Sequence, residues 1–177
     1  LHVAASRGHT DIVQLLEGID FNERKQLLND TDDEGETPLA KALKKGHTTL
    51  ALTLLTMGSD VDHKDKNGKT LICVMASRGN LEIVQLLLQE NASVNVGDNE
   101  GGTPLHWAAH FGHLNVVQAL LKVHRINTIP QFTCGEYEKQ TPLHRAIKKR
   151  QLDVAIALIK ASMDINLLDS NGNTPLH

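Results

Sequence analysis

The sequence predicts an all-α repeat solenoid, built from paired antiparallel helices with hairpin-like fingers projecting between the pairs. Three observations predict it. Thr-Pro-Leu-His is complete at 103–106, 141–144 and 174–177, degenerate at Thr37-Pro38-Leu39-Ala40 and Thr70-Leu71-Ile72-Cys73, and reduced to its tail at Leu1-His2. The five threonines fall 33, 33, 38 and 33 residues apart. The copies at 37, 70 and 103 are each followed by a short apolar stretch, a glycine and a second apolar stretch, and the copy at 141 by the same order with Arg150 in the glycine's place. A fixed period near this length means small units that bury their faces only against one another.

The repeat at 98–135 shows how each element follows from its residues. Thr103 suits a helix N-cap, and Pro104 suits the first helical position, where the missing amide hydrogen costs nothing. Leu105, Ala108 and Ala109 make a first helix with a small-residue face, ended by Gly112. Leu114 to Leu121 forms a second helix whose buried stripe is Val116, Val117, Leu120 and Leu121. After the second helices of the two preceding repeats the chain turns outward into a finger whose tip reads Asp-x-x-Gly, at 65–68 and 98–101, whereas after Leu121 the tip becomes Glu136-Tyr137-Glu138-Lys139. On this ruler the whole chain is one array. Residues 1–31 are a partial first repeat with an insertion, 32–64 and 65–97 are repeats, 98–135 is a repeat with an insertion, 136–168 is a repeat, and 169–177 starts a truncated next one. Motif tails at both ends read as a segment of a longer array.

The copies depart from the ruler at a few places. Five extra residues between Leu16 and Thr37 predict an added helical turn, capped by Asp20 or Asn22 and packed through Phe21, Leu27 and Leu28. The second insertion, between Leu120 and Thr141, places Ile129, Phe132 and Tyr137 where a finger is normally polar. Cys73 replaces the motif histidine, and Arg150 stands where a helix-ending glycine is expected. That forces either a strained backbone or a different helix end.

Composition excludes several classes of function. A formal net charge of -3 over 177 residues argues against an obligate nucleic-acid or lipid-surface binder. Cys73 and Cys134 lie too far apart in sequence to propose a disulfide framework or metal site. No apolar run approaches the length of a membrane span, and no export signal opens the chain, so a cytoplasmic or nuclear location is expected, with a membrane-attached parent left open. His-Glu-x-x-His is absent, and no paired carboxylates or nucleophile–base set stand out. Neither catalysis nor a cofactor is expected. His106 and His144, three residues after the cap threonine, are read as structural.

The motif Asp98-x-x-Gly101-x-Thr103-Pro104-Leu105-His106-x-Ala108-Ala109-x-x-Gly112-His113, with its Val-Val-x-x-Leu-Leu helix, resembles the ankyrin repeat over the whole chain. The resemblance implies a non-enzymatic protein-interaction scaffold, binding a peptide or protein through the concave face of the first helices and the finger tips. The alternative is a regulatory or mechanical segment of a larger enzyme or ion channel. Carried onto this sequence, the first-helix positions are Lys41, Lys44 and Lys45, Arg78, Trp107, His110 and Phe111, then Arg145, Lys148 and Lys149, with Tyr137 on a finger. Basic ends around an aromatic pair suit a partner with acidic residues around one apolar anchor, and Trp107 is the expected anchor. No homo-oligomer is implied. The resemblance also makes Asn95 and Asn166, each eight residues after a leucine, candidate substrates of an asparagine hydroxylase.

Overall fold

A computed structural model describes residues 1–123, 126 and 139–177. The chain divides into two compact units, Leu1–Asn67 and Gly68–His177. Cys134, Ile129, Phe132 and Tyr137 lie outside the described residues.

The first unit contains α1 (His2–Arg7), α2 (Thr10–Gln14) running into a 3-10 turn (Leu15–Gly18), α3 (Phe21–Asn29), α4 (Pro38–Lys44) and α5 (Thr48–Thr56). First helices pack on first helices and second on second: α1 against α4, and α2 against α5. Ala5, Val13, Leu39, Ala42, Leu50 and Leu54 fill the space between them. Burying each of the leucines contributes about 1.5–3 kcal/mol.

The insertion forms more than the single turn expected. Asp20 caps α3, its Oδ2 accepting from the amides of Asn22 at 2.9 Å and Glu23 at 3.4 Å, and the helix then runs nine residues. Leu28 is fully buried, as expected, but Phe21 is 60% exposed with the Arg24 guanidinium 5.8 Å from its ring centroid. Phe21 lies seven residues before Leu28 and so on the same side of α3, but at the helix's first position it stays in solvent.

In the second unit, α6 (Leu71–Ser77), α8 (Pro104–Phe111) and α10 (Pro142–Lys148) lie side by side, each backed by its partner: α7 (Leu81–Gln89), α9 (Leu114–Leu121) and α11 (Leu152–Lys160). The buried residues are Ile83, Val84 and Leu87 on α7, Val116, Val117 and Leu120 on α9, and Val154, Ala155 and Leu158 on α11, while Leu121, the fourth of the expected α9 stripe, is half-buried.

The recurrent motif does structural work within each unit. The Thr103 amide donates to His106 Nδ1 at 3.4 Å, and His106 Nε2 donates to the Gln140 carbonyl at 3.0 Å. His144 repeats this, accepting from the Thr141 amide at 3.2 Å and donating to the Asn173 carbonyl at 3.0 Å. His2 Nε2 meets the Glu36 carbonyl at 2.9 Å in the first unit. Each of these carbonyls belongs to the residue before the next cap threonine, so one imidazole closes its own turn and ties down the next. A Nε2–H tautomer satisfies both contacts. At Cys73 the ladder weakens: Sγ lies 3.7 and 3.8 Å from the Val96 and Gly102 carbonyls, and the buried Thr70 hydroxyl is left with the thiol as its side-chain neighbour. Burial pushes the thiol up to about 12, so it is an inert packing group.

Arg150 adopts φ 57°, where Gly8, Gly46, Gly79 and Gly112 adopt 75°, 80°, 70° and 76° at matching helix ends. The strained alternative was thus taken, because the chain must still reverse into α11. Arg150→Gly should stabilise the second unit by about 1 kcal/mol, since a side chain in this left-handed region costs about 1–2 kcal/mol and glycine returns part of that as unfolded-state entropy. A urea midpoint that stays put or falls, with an unchanged slope, would count against this account.

Candidate interaction surface

The fingers are closed by their aspartates. Asp32, Asp98 and Asp169 each use Oδ1 to accept two backbone amides of their own turn: Glu34 and Glu36 at 2.9 Å, Glu100 and Gly102 at 3.1 and 2.8 Å, and Asn171 and Asn173 at 2.9 Å. The second carboxylate oxygen remains for a first-helix side chain. At Asp32 it pairs with Lys41 Nζ at 2.7 Å, and at Asp98 it accepts from Trp107 Nε1 at 2.8 Å. Lys41 and Trp107 occupy the same repeat position, nine residues after their finger aspartate. That position therefore carries a donor that fastens finger to helix.

This geometry corrects two expectations. Lys41 and Lys44 do not present free charge. Lys41 Nζ also lies 2.8 Å from Glu36 and 3.2 Å from Glu34, and Lys44 is bonded to Glu36. Burial opposes ionisation of Asp32, but bonds from Lys41 and from the Glu36 and Glu34 amides outweigh it and hold the carboxyl at about 2. Bonds to Asp32 and Glu36 hold Lys41 above the ordinary lysine range. The oxygens of Asp32, Glu34 and Glu36 lie close enough to hold a cation, and the Lys41 ammonium supplies one. Lys45 alone of this trio is exposed.

The other correction concerns Trp107, which is not an exposed anchor but 7% exposed. Besides the bond to Asp98, its ring lies 3.9 Å from Lys69 Nζ and 5.1 Å from the Arg145 guanidinium carbon. Arg145 is only 2% exposed, so it too belongs to the packing. The pattern was present in the sequence: Lys41, Trp107 and Arg145 are all N–H donors at one repeat position, with Val74 the exception.

What remains on the first-helix face of the second unit is Arg78 after α6, His110 and Phe111 at the end of α8, and Lys148 and Lys149 at the end of α10. Phe111 is 48% exposed, and Arg78, Lys148 and Lys149 are exposed. Phe111 meets His110 edge to face, centroids 4.7 Å apart, and Trp107 backs it at 6.1 Å. Arg78, Lys148 and Lys149 form no ion pair among the described residues. His110 is half-buried, and desolvation followed by the charges of Lys149, Arg145 and Lys148 holds it below the ordinary imidazole value.

Asn95 is half-buried and Asn166 is exposed, its amide donating to Asp164 Oδ1 at 2.8 Å. No helix of the described residues is long and apolar enough to cross a membrane.

Residues 1–65 and 48–130 match a model of three-copy ankyrin repeats, and residues 133–177 match a model of many-copy ankyrin repeats. Over 39 residues the chain is 54% identical to NF-kappa-B inhibitor alpha of Rattus norvegicus, covering 22% of this chain and 12% of that protein. The Gallus gallus NF-kappa-B inhibitor alpha is 50% identical over 38 residues, 22% of this chain and 12% of that protein. The Gallus gallus nuclear factor NF-kappa-B p105 subunit is also 50% identical over 38 residues, 22% of this chain and 4% of that protein. The match therefore spans a small fraction of these curated relatives.

Proposed function

The chain belongs to the ankyrin-repeat family, and from that premise we propose that it is a non-catalytic signalling scaffold that captures an acidic protein segment on the first-helix face of its second unit. Protein–protein interaction is the general role of ankyrin repeats, and similarity to an inhibitor of NF-kappa-B accords with it. The observation that carries the finer reading is the contrast between the two units. Lys41 and Lys44 of the first are neutralised by their own finger, whereas Lys148, Lys149 and Arg78 of the second stand unpaired among the described residues around an exposed Phe111. A partner with acidic residues around one apolar side chain would cover Phe111 and neutralise those cations, gaining on-rate and specificity from complementary charge.

A peptide of six acidic residues around a central Leu-Phe pair tests this. Phe111→Ser and the double variant Lys148→Glu/Lys149→Glu should each weaken its binding about tenfold, and added salt should weaken it further. Lys45→Glu, on the other unit, should change it little. Equal binding by all variants, or none by the parent chain, would remove the proposal.

A further inference from the structure

We propose that Thr31 is a phosphorylation site, the acceptor for an acid-directed serine/threonine kinase that reads the carboxylates of the first finger. The proposal concerns the first unit and stands apart from the acidic-partner reading of the second.

Thr31 is the one serine or threonine of the chain followed by three consecutive acidic residues, Asp32, Asp33 and Glu34, and Asp30 precedes it. No lysine or arginine occurs between 26 and 36, and no proline follows the threonine directly, so base-directed and proline-directed kinases have nothing to recognise. The fold leaves this hydroxyl accessible. The cap threonines Thr37, Thr70, Thr103 and Thr141 are buried, and Thr53 and Thr56 bond to carbonyls of their own helix. Thr31 is exposed; its amide donates to Asp30 Oδ1 at 3.0 Å, while its hydroxyl makes no hydrogen bond among the described residues.

The residue sits in the link between α3 and the finger. Asp30 leaves the helix with extended backbone (φ -61°, ψ 148°), so a kinase cleft can take up the acceptor without unwinding a helix. Beyond it the Asp32 amide bonds to the Glu36 carbonyl at 3.1 Å and the chain turns, which sets Asp33 and Glu34 at the tip.

The carboxylates divide by role. Asp32 and Glu36 are spent on Lys41 and Lys44. Asp33 is exposed and forms no ion pair among the described residues, and the Glu34 side chain is 72% exposed despite its 3.2 Å contact with Lys41. The second and third positions after the acceptor therefore offer negative charge to a basic substrate cleft. In the transfer, the Thr31 oxygen attacks the γ-phosphorus of Mg–ATP. The new O–P bond forms as the bond to the β,γ-bridging oxygen breaks, ADP leaves, and the hydroxyl proton passes to the kinase's carboxylate base. The product adds about -1.5 to -2 charges. Because Lys41 and Lys44 are already engaged, the phosphate turns a self-neutralised finger anionic.

The folded chain, incubated with Mg–ATP and the catalytic subunit of casein kinase II, should gain one phosphate, placed on Thr31 by fragmentation mass spectrometry. Thr31→Ser should still be modified and Thr31→Ala should not, and both should keep the parent's urea midpoint, since the hydroxyl has no partner to lose. The double variant Asp33→Asn/Glu34→Gln should slow incorporation about tenfold. Glu90→Gln, an exposed carboxylate of the other unit, should leave the rate unchanged. No phosphate on Thr31 of the folded chain, or an unaltered rate in the acidic double variant, overturns the proposal.

Discussion

Trp107→Ala is expected to cost the second unit about 3–5 kcal/mol, so its first effect is on folding rather than on any partner. The substitution empties a site bounded by the Lys69 and Arg145 cations. It also strips the 2.8 Å indole bond from a buried Asp98 carboxylate whose other oxygen closes the finger. Trp107→Phe separates the two losses. It keeps most of the apolar contact and removes only the charge-assisted bond, which costs about 1.5–3 kcal/mol. Trp107 is the chain's single tryptophan, so urea unfolding of both variants is followed by far-ultraviolet circular dichroism. A midpoint shift worth less than about 1 kcal/mol for Trp107→Ala would show that the indole does not hold the finger.

Acidification should weaken the fold well before its carboxylates protonate. Burial, and next the Arg145 charge, push His106 down to about 3, against the Gln140 carbonyl, which favours the protonated ring. The folded state thus binds the neutral imidazole, whereas the unfolded chain protonates it near 6.5. The contribution of this group is complete above about pH 6.5 and is lost as pH falls from there toward about 3, at up to about 1.4 kcal/mol per pH unit. By pH 5 the loss is about 2 kcal/mol, one and a half units at that slope. Asp32, held at about 2, contributes above its ordinary value and is lost only below about pH 4, so it does not act in this window. Urea midpoints at pH 7 and pH 5 measure the loss. Resonances of the His106 ring should show it neutral at pH 5, and titration near 6.5 would remove the basis of the prediction.

Most of the local architecture was legible in residues close together in sequence. Thr103, Pro104 and His106 lie within one turn, and the same spacing at Thr141, Pro142 and His144 predicts the same cap. Arg150 at a glycine position left two outcomes open, a strained backbone or a different helix end, and its φ of 57° is the first. The fate of the surface was harder to read. Lys41, Lys44 and Trp107 look like free recognition residues until finger and helix are folded against each other and their partners prove to be Asp32, Glu36 and Asp98. Phe21 looks like a core residue, yet at the N-terminal end of α3 it stays exposed.

The sequence by itself determined the repeat, its caps and its buried stripes, because those depend on spacing within one turn of helix. Only the tertiary structure decided which donors are spent inside the fold and which remain on the surface. Finger and helix meet through space, and a finger aspartate has two oxygens: one closes its own turn, and the other claims whatever donor the helix presents. Lys41 and Trp107 are claimed in this way, whereas Phe111, Lys148 and Lys149 stay exposed.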